Sequence, residues 1–171
     1  MSDDVRIRHI AEGDWDGIAA LEARTYGELG LSEGRAALES RAQASPATCF
    51  VLDFEERITG YVLSLPYPLF QYPDLHEPER DAFASRNLHL HDLVIDPGGR
   101  GRGLAGRLVR HLTAVAQAAG YERISLIAVG GSDPFWSGQG FEAHREVELG
   151  DSYGPKAMYM SRVLRFAKAD G

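Results

Sequence analysis

Between Leu88 and Gly120 the sequence changes its hydrophobic period, and that change leaves few folds open. The run Leu88 to Ile95 is β-prone and alternates at its start, with Leu88, Leu90 and Asp92 on one side and His89, His91 and Leu93 on the other. Pro97 lacks a backbone donor and discourages further pairing. Gly98, Gly99, Gly101, Gly103 and Gly106 then form a loop whose backbone can lie against a ligand. From Leu104 the period is helical, placing Leu104, Leu108, Leu112, Val115 and Ala119 on one stripe. Gly120 stands where a left-handed cap would close that helix. A strand therefore feeds a Gly-rich turn, and the turn opens a helix.

That arrangement favours an anion. The first N–H groups of a helix have no intrahelical acceptor, and the macrodipole adds partial positive charge there. Arg100 and Arg102 contribute guanidinium forks. A pyrophosphate-bearing ligand is the natural occupant; the alternative is a Gly-rich turn with solvated arginines.

Two motifs compete for the loop. Gly101-x-Gly103-x-x-Gly106 formally matches a dinucleotide fingerprint. In that fingerprint the glycines follow the strand almost directly and an acid closes the next strand. Here Asp96 to Arg100 intervene, and the next strand, Arg123 to Val129, runs into Gly130-Gly131. A phosphate-binding P-loop also fails, because no Gly-Lys-Ser/Thr follows. The other match is Arg100-x-x-Gly103-x-Ala105, preceded by a strand ending Val-Ile-Asp-Pro. This resembles the acetyl-coenzyme A motif of the GNAT superfamily of N-acyltransferases.

The flanking sequence agrees with that resemblance. Val5 to Ile10 alternates as a first strand, Asp14 is placed to cap a helix running toward Tyr26, and Ser32 to cap a second through Ala36, Ala37 and Leu38. Cys49 to Phe54 and Ile58 to Leu65 read as a hairpin around Glu55, Glu56 and Arg57. Residues 66–87 form a long irregular segment whose Tyr67, Phe70 and Tyr72 either line an acceptor pocket or pack locally. Asp133-Pro134-Phe135-Trp136 starts a short helix, and Glu142 to Leu149 pairs with Ala157 to Leu164 in a final hairpin. The expected fold is α+β: a mixed, mostly antiparallel sheet of about seven strands with one parallel βαβ unit, as the GNAT fold implies.

Composition narrows the class. A length of 171 residues suits one domain, 1–171, with a sizeable core. The net charge of −7 argues against nucleic acid as a partner. The single Cys49 excludes an intrachain disulfide framework and fits a reducing cytoplasm. No apolar run is long enough to span a membrane, and no signal-peptide pattern opens the sequence. The expectation is a cytoplasmic protein, monomer or homodimer.

The resemblance implies a site. By position, Leu93, Val94 and Ile95 would meet the acetyl and pantetheine portions of acetyl-coenzyme A. Arg100, Gly101, Arg102, Gly103, Leu104, Ala105 and Gly106 would hold its pyrophosphate. The family often carries a Tyr that protonates the departing thiolate; here that position is Trp136, which either packs beside the thioester or anchors the short helix. His91 stands where diamine acetyltransferases of the superfamily carry the Glu of a Glu-Asp pair, with Asp92 completing it. An imidazole titrates near working pH, so His91 is the candidate base, with Asp92 orienting it or holding a cationic acceptor. Tyr153, in a turn of the last hairpin, is the candidate acid or acceptor ligand. His89 and His91 have few convergent ligands in sequence, so no metal is expected. The implied reaction is acetyl transfer from acetyl-coenzyme A to a small-molecule or peptide amine. A non-catalytic sensor of coenzyme A or another nucleotide is the alternative.

Overall fold

The computed structural model of the chain describes residues 5–80, 82–99 and 101–164. Strands β2 (Phe50–Phe54) and β3 (Arg57–Pro66) carry apolar side chains on both faces. Neither face can be left in water, so helices cover both. The face bearing Phe50, Leu52, Val62, Leu88 and Leu90 packs on α3 (Leu104–Ala118), with Trp136 of α4 (Asp133–Gly138) in the same cluster. The face bearing Val51, Tyr61 and Leu63 packs on α1 (Trp15–Tyr26) and α2 (Arg35–Ala44). Leu108, Leu112 and Ala116 of α3 are fully buried, and each leucine contributes about 2 kcal/mol by leaving water.

The sheet has seven strands in the order β1-β2-β3-β4-β5-β7-β6. The remaining strands are β1 (Arg6–His9), β4 (Asn87–Ile95), β5 (Arg123–Ala128), β6 (Glu142–Ala143) and β7 (Met158–Val163). Every neighbouring pair is antiparallel except β4 and β5, which α3 connects as a parallel βαβ unit. The expected mixed sheet and its parallel unit are both present.

Two irregularities in β4 shape the molecule's centre. Leu63 pairs with Asp92 and Ser64 with Leu90, which leaves His91 as the extra residue of a bulge. The bulge inverts the alternation expected from the sequence. Leu93 joins Leu88 and Leu90 on the α3 face, and Asp92 joins His89 and His91 on the other. The second irregularity is a split. β4 pairs with β5 only from Asn87↔Arg123 to Leu90↔Leu126, although both strands continue. Beyond Leu90 the two strands part.

Other details differ from the sequence reading. Asp14 occupies the N-cap position of α1 without a side-chain cap; its carboxylate instead accepts from Arg8 and from the Ala11 N–H. Ser32 caps nothing. α2 opens at Gly34, whose φ of +88° suits glycine, and the Ser32 hydroxyl donates to Glu22. Ala119 is exposed rather than part of the buried stripe, while Gly120 takes the left-handed conformation at φ +88°. The final hairpin is much shorter than expected: β6 has two residues, and 144–157 is turns with one 3₁₀ segment at Asp151–Tyr153.

Candidate active site

The parting of β4 from β5 opens a cleft of about 680 Å³. Its walls are the β4 edge from Leu90 to Ile95, the start of α3, the end of β5 and the segment joining α1 to α2. Because β5 has turned away, the backbone of this β4 edge faces the cleft instead of a strand. At the α3 start, Gly101 and Gly103 have φ of +82° and +71°, and a Cβ at either would meet nothing within 4 Å. The backbone there is both bent in a way that suits glycine and open to a ligand.

The structure brings nearly all the sequence-derived candidates to this one cleft. Leu93, Val94, Ile95, Gly101, Gly103, Leu104, Ala105, Gly106, Trp136, His91 and Tyr153 all line it. Arg102 is exposed and outside the lining. Arg100 lies outside the described residues. No helix among the described residues is long and apolar enough to cross a membrane.

His91 is held by a residue that the sequence did not single out. Its Nε2 lies 2.8 Å from Oε2 and 3.0 Å from Oε1 of Glu33, in the segment between α1 and α2. Arg41 of α2 clamps the same carboxylate at 2.7 Å, and also bonds Glu79 at 2.7 Å and the Asp74 carbonyl at 2.8 Å. Burial alone would raise the Glu33 carboxyl; His91 and then Arg41 outweigh it and hold the group below its usual range. An ionised carboxylate only accepts, so the His91 Nε2 carries a proton and donates it. In the neutral ring that leaves the lone pair on Nδ1, which is buried and without a partner among the described residues.

Asp92 does not orient His91. Its Oδ1 accepts from the Tyr26 hydroxyl at 2.9 Å and its Oδ2 from the Tyr61 hydroxyl at 2.6 Å. Burial first, and Glu33 second, push its carboxyl up to about 7, despite these donors. Glu22 completes a cluster in which ligating oxygens of Glu22, Glu33 and Asp92 lie within 4.8 Å of one another. Glu22 is bonded by the Ser32 hydroxyl and the Glu33 N–H. His89 accepts or donates at Ser125 through Nδ1, and burial drives its pKa well down.

Tyr153 is not an exposed turn residue. Its ring is buried, it stands edge-on to Tyr72 at 5.6 Å, and its hydroxyl donates to the Pro73 carbonyl. Burial raises its pKa. Trp136 is also buried, packed edge-on against Phe135 and Phe141 while forming part of the cleft wall. In the irregular 66–87 segment, Tyr67, Phe70 and Tyr72 pack against Phe83, Tyr159 and Tyr153 respectively; its cleft-lining residue is Leu75.

A family model described as "Acetyltransferase (GNAT) family" matches residues 15–141. A curated relative, glucosamine 6-phosphate N-acetyltransferase of Trypanosoma brucei brucei, is 36% identical over 62 residues. That match covers 36% of this chain and 42% of the relative's length. N-acetylglutamate synthase from Neisseria gonorrhoeae, solved with coenzyme A and N-acetyl-glutamate, superposes with a TM-score of 0.72 at 21% identity. The superposition covers 96% of this chain and 36% of the synthase chain. Ard1 from Thermoplasma volcanium superposes with a TM-score of 0.73 at 16% identity, over 94% of this chain and 98% of its own. The two superpositions show a shared fold.

Proposed function

This chain belongs to the GNAT family of acetyltransferases, and from that premise we propose that it transfers an acetyl group from acetyl-coenzyme A to an amine by direct attack within a ternary complex. The observation that carries the proposal is the single cleft, which joins a helix-start loop, an open strand edge and a carboxylate-oriented imidazole. The whole of 1–171 is read as one transferase domain.

Acetyl-coenzyme A fits the residues present. The N–H groups opening α3, with Gly101 and Gly103 leaving the approach clear, suit a pyrophosphate. The β4 edge at Leu93, Val94 and Ile95 suits an extended amide-bearing arm, which can pair with a strand edge as another strand would. The thioester supplies an acyl group already activated for transfer.

The chain's own residues have three tasks. His91, through Nδ1, takes the proton of the incoming ammonium directly or through water, and Glu33 stabilises the imidazolium that forms. N–H groups of the β4 edge meet the charge that grows on the carbonyl oxygen as the amine adds. Tyr153 either returns a proton to the departing thiolate or positions the acceptor. Burial keeps its phenol protonated, and its hydroxyl must leave Pro73 to act as an acid.

Trp136 at the usual Tyr position favours the second reading, a coenzyme A sensor without turnover. Turnover of acetyl-coenzyme A with an amine panel separates the two readings, and His91→Ala and Tyr153→Phe test the base and the acid. His91→Ala lowers kcat by roughly 10²-fold, with coenzyme A affinity unchanged. Tyr153→Phe lowers kcat if the phenol is the acid, and raises only the acceptor KM if it binds acceptor. Unaltered kinetics in His91→Ala would remove the base assignment.

A further inference from the structure

The cleft is uneven in charge. Its His91 end presents the carboxyl groups of Glu33 and Asp92 beside apolar Leu29, Leu31 and Leu75. No lysine or arginine lies among the described lining residues. Glu22 stands close behind, with ligating oxygens of all three acids within 4.8 Å of one another. Arg41 bonds one of the three, Glu33, and it is wholly buried and shared with Glu79 and the Asp74 carbonyl. Arg41 is taken up by Glu33 and Glu79, while Asp92 and Glu22 are met by hydroxyl and N–H donors, so this end is acidic with no cation turned toward a ligand. The loop that suits phosphate begins only past Ile95, four residues and roughly 13 Å further along the strand from His91.

A second observation points to a ligand at this end. The His91 side chain is 1% exposed, forms part of the cleft lining, and has an Nδ1 with no partner among the described residues. A buried imidazole nitrogen without a partner is uncommon and costly unless something is meant to meet it.

We infer that the acceptor is a primary amine whose remaining body is uncharged and largely apolar, and that this end of the cleft rejects amines also bearing a phosphate or carboxylate. The ammonium is drawn by the acids and meets the His91 lone pair. An anionic substituent on the same small molecule would face like charge without a counter-cation, and like charges apposed in a partly buried site are strongly discriminated against. Leu29, Leu31 and Leu75 give the body an apolar wall instead. This rests on the transfer reading and narrows its acceptor.

The test uses two matched pairs, phenethylamine against phenylalanine and glucosamine against glucosamine 6-phosphate. Binding to the coenzyme A-loaded protein is measured by calorimetry, and kcat/KM with acetyl-coenzyme A in parallel. The expected result is a preference of at least about tenfold for the member without the anionic group in both pairs. Leu29 is 59% exposed and lines the cleft, so Leu29→Lys adds a cation there with little risk to folding. It should narrow the gap by roughly threefold at low salt and restore it at high salt. Equal or tighter binding of either anionic member overturns the inference. So does a gap that Leu29→Lys leaves untouched, or binding by none of the four amines. The transfer reading fails differently: amines bind with this preference, yet no coenzyme A thiol is released.

Discussion

Asp92 carries the clearest thermodynamic consequence of burial at the site. In the folded chain its carboxyl titrates at about 7, well above the range of an exposed aspartate. Between roughly pH 4 and 7 the folded state therefore holds a proton that the unfolded state has lost. Stability from this group falls as pH rises through that window, by up to about 1.4 kcal/mol per pH unit, and the loss is complete above the folded value. Asp92→Asn removes the slope. Urea midpoints of wild type and variant should converge toward or cross in the variant's favour as pH goes from 5 to 8; parallel curves would mean that Asp92 is ionised throughout. A second residue-scale expectation concerns Glu33. In Glu33→Gln the imidazole loses its charged partner, and kcat should fall by tenfold or more with its pH profile displaced. In the neutral ring of wild-type His91, nitrogen NMR should place the proton on Nε2, next to Glu33, and not on Nδ1. At this scale the sequence pointed to His91 from its strand and position but gave no partner, because Glu33 lies 58 residues away. One clue was present. Arg41 falls on the stripe of Ala37, Leu38 and Ala42, and a charged residue on a buried helix face must find counter-charges.

At the scale of elements, β4, the loop and α3 are legible because Pro97 and the glycines bound a short β-prone run and a 15-residue apolar stripe marks the helix. The bulge at His91 was not legible. Inserting one residue leaves each short run still alternating and only flips which side is buried, so simple alternation puts Asp92 and Leu93 on the wrong faces. The Ser32 cap failed because α2 starts later, behind Gly34, and leaves Ser32 two residues upstream, where its hydroxyl donates to Glu22. The loop itself yields a direct prediction. Gly103 has φ +71° with open space around it, so Gly103→Glu should fold with modest strain but place a carboxylate at the α3 start. Calorimetry should then detect no coenzyme A binding. Wild-type affinity in a folded Gly103→Glu would move the phosphate site elsewhere.

At the scale of the whole molecule, order along the chain says little about how the irregular 66–87 segment is fastened. Arg41 ties its Asp74 and Glu79 to α2, Tyr72 bonds the 148–150 turn, and Tyr153 bonds Pro73. The same Arg41 holds Glu33, so the segment's anchorage and the orientation of His91 share one guanidinium. Arg41→Met should cost about 3–5 kcal/mol in denaturant unfolding, because Glu33 and Glu79 are left buried without their counter-charge. A cost under 1 kcal/mol would mean that water reaches the pair and that the clamp is dispensable. The fold as a whole follows from two-faced apolar strands that helices must cover, and the cleft from one place where two parallel strands stop pairing. The most direct measurement of transfer is the initial rate of thiol release from acetyl-coenzyme A, with and without a primary amine of uncharged body. Saturable, amine-dependent release that His91→Ala largely abolishes is the predicted result. Tight coenzyme A binding without amine-dependent release across an amine panel would contradict it and leave a sensor in its place.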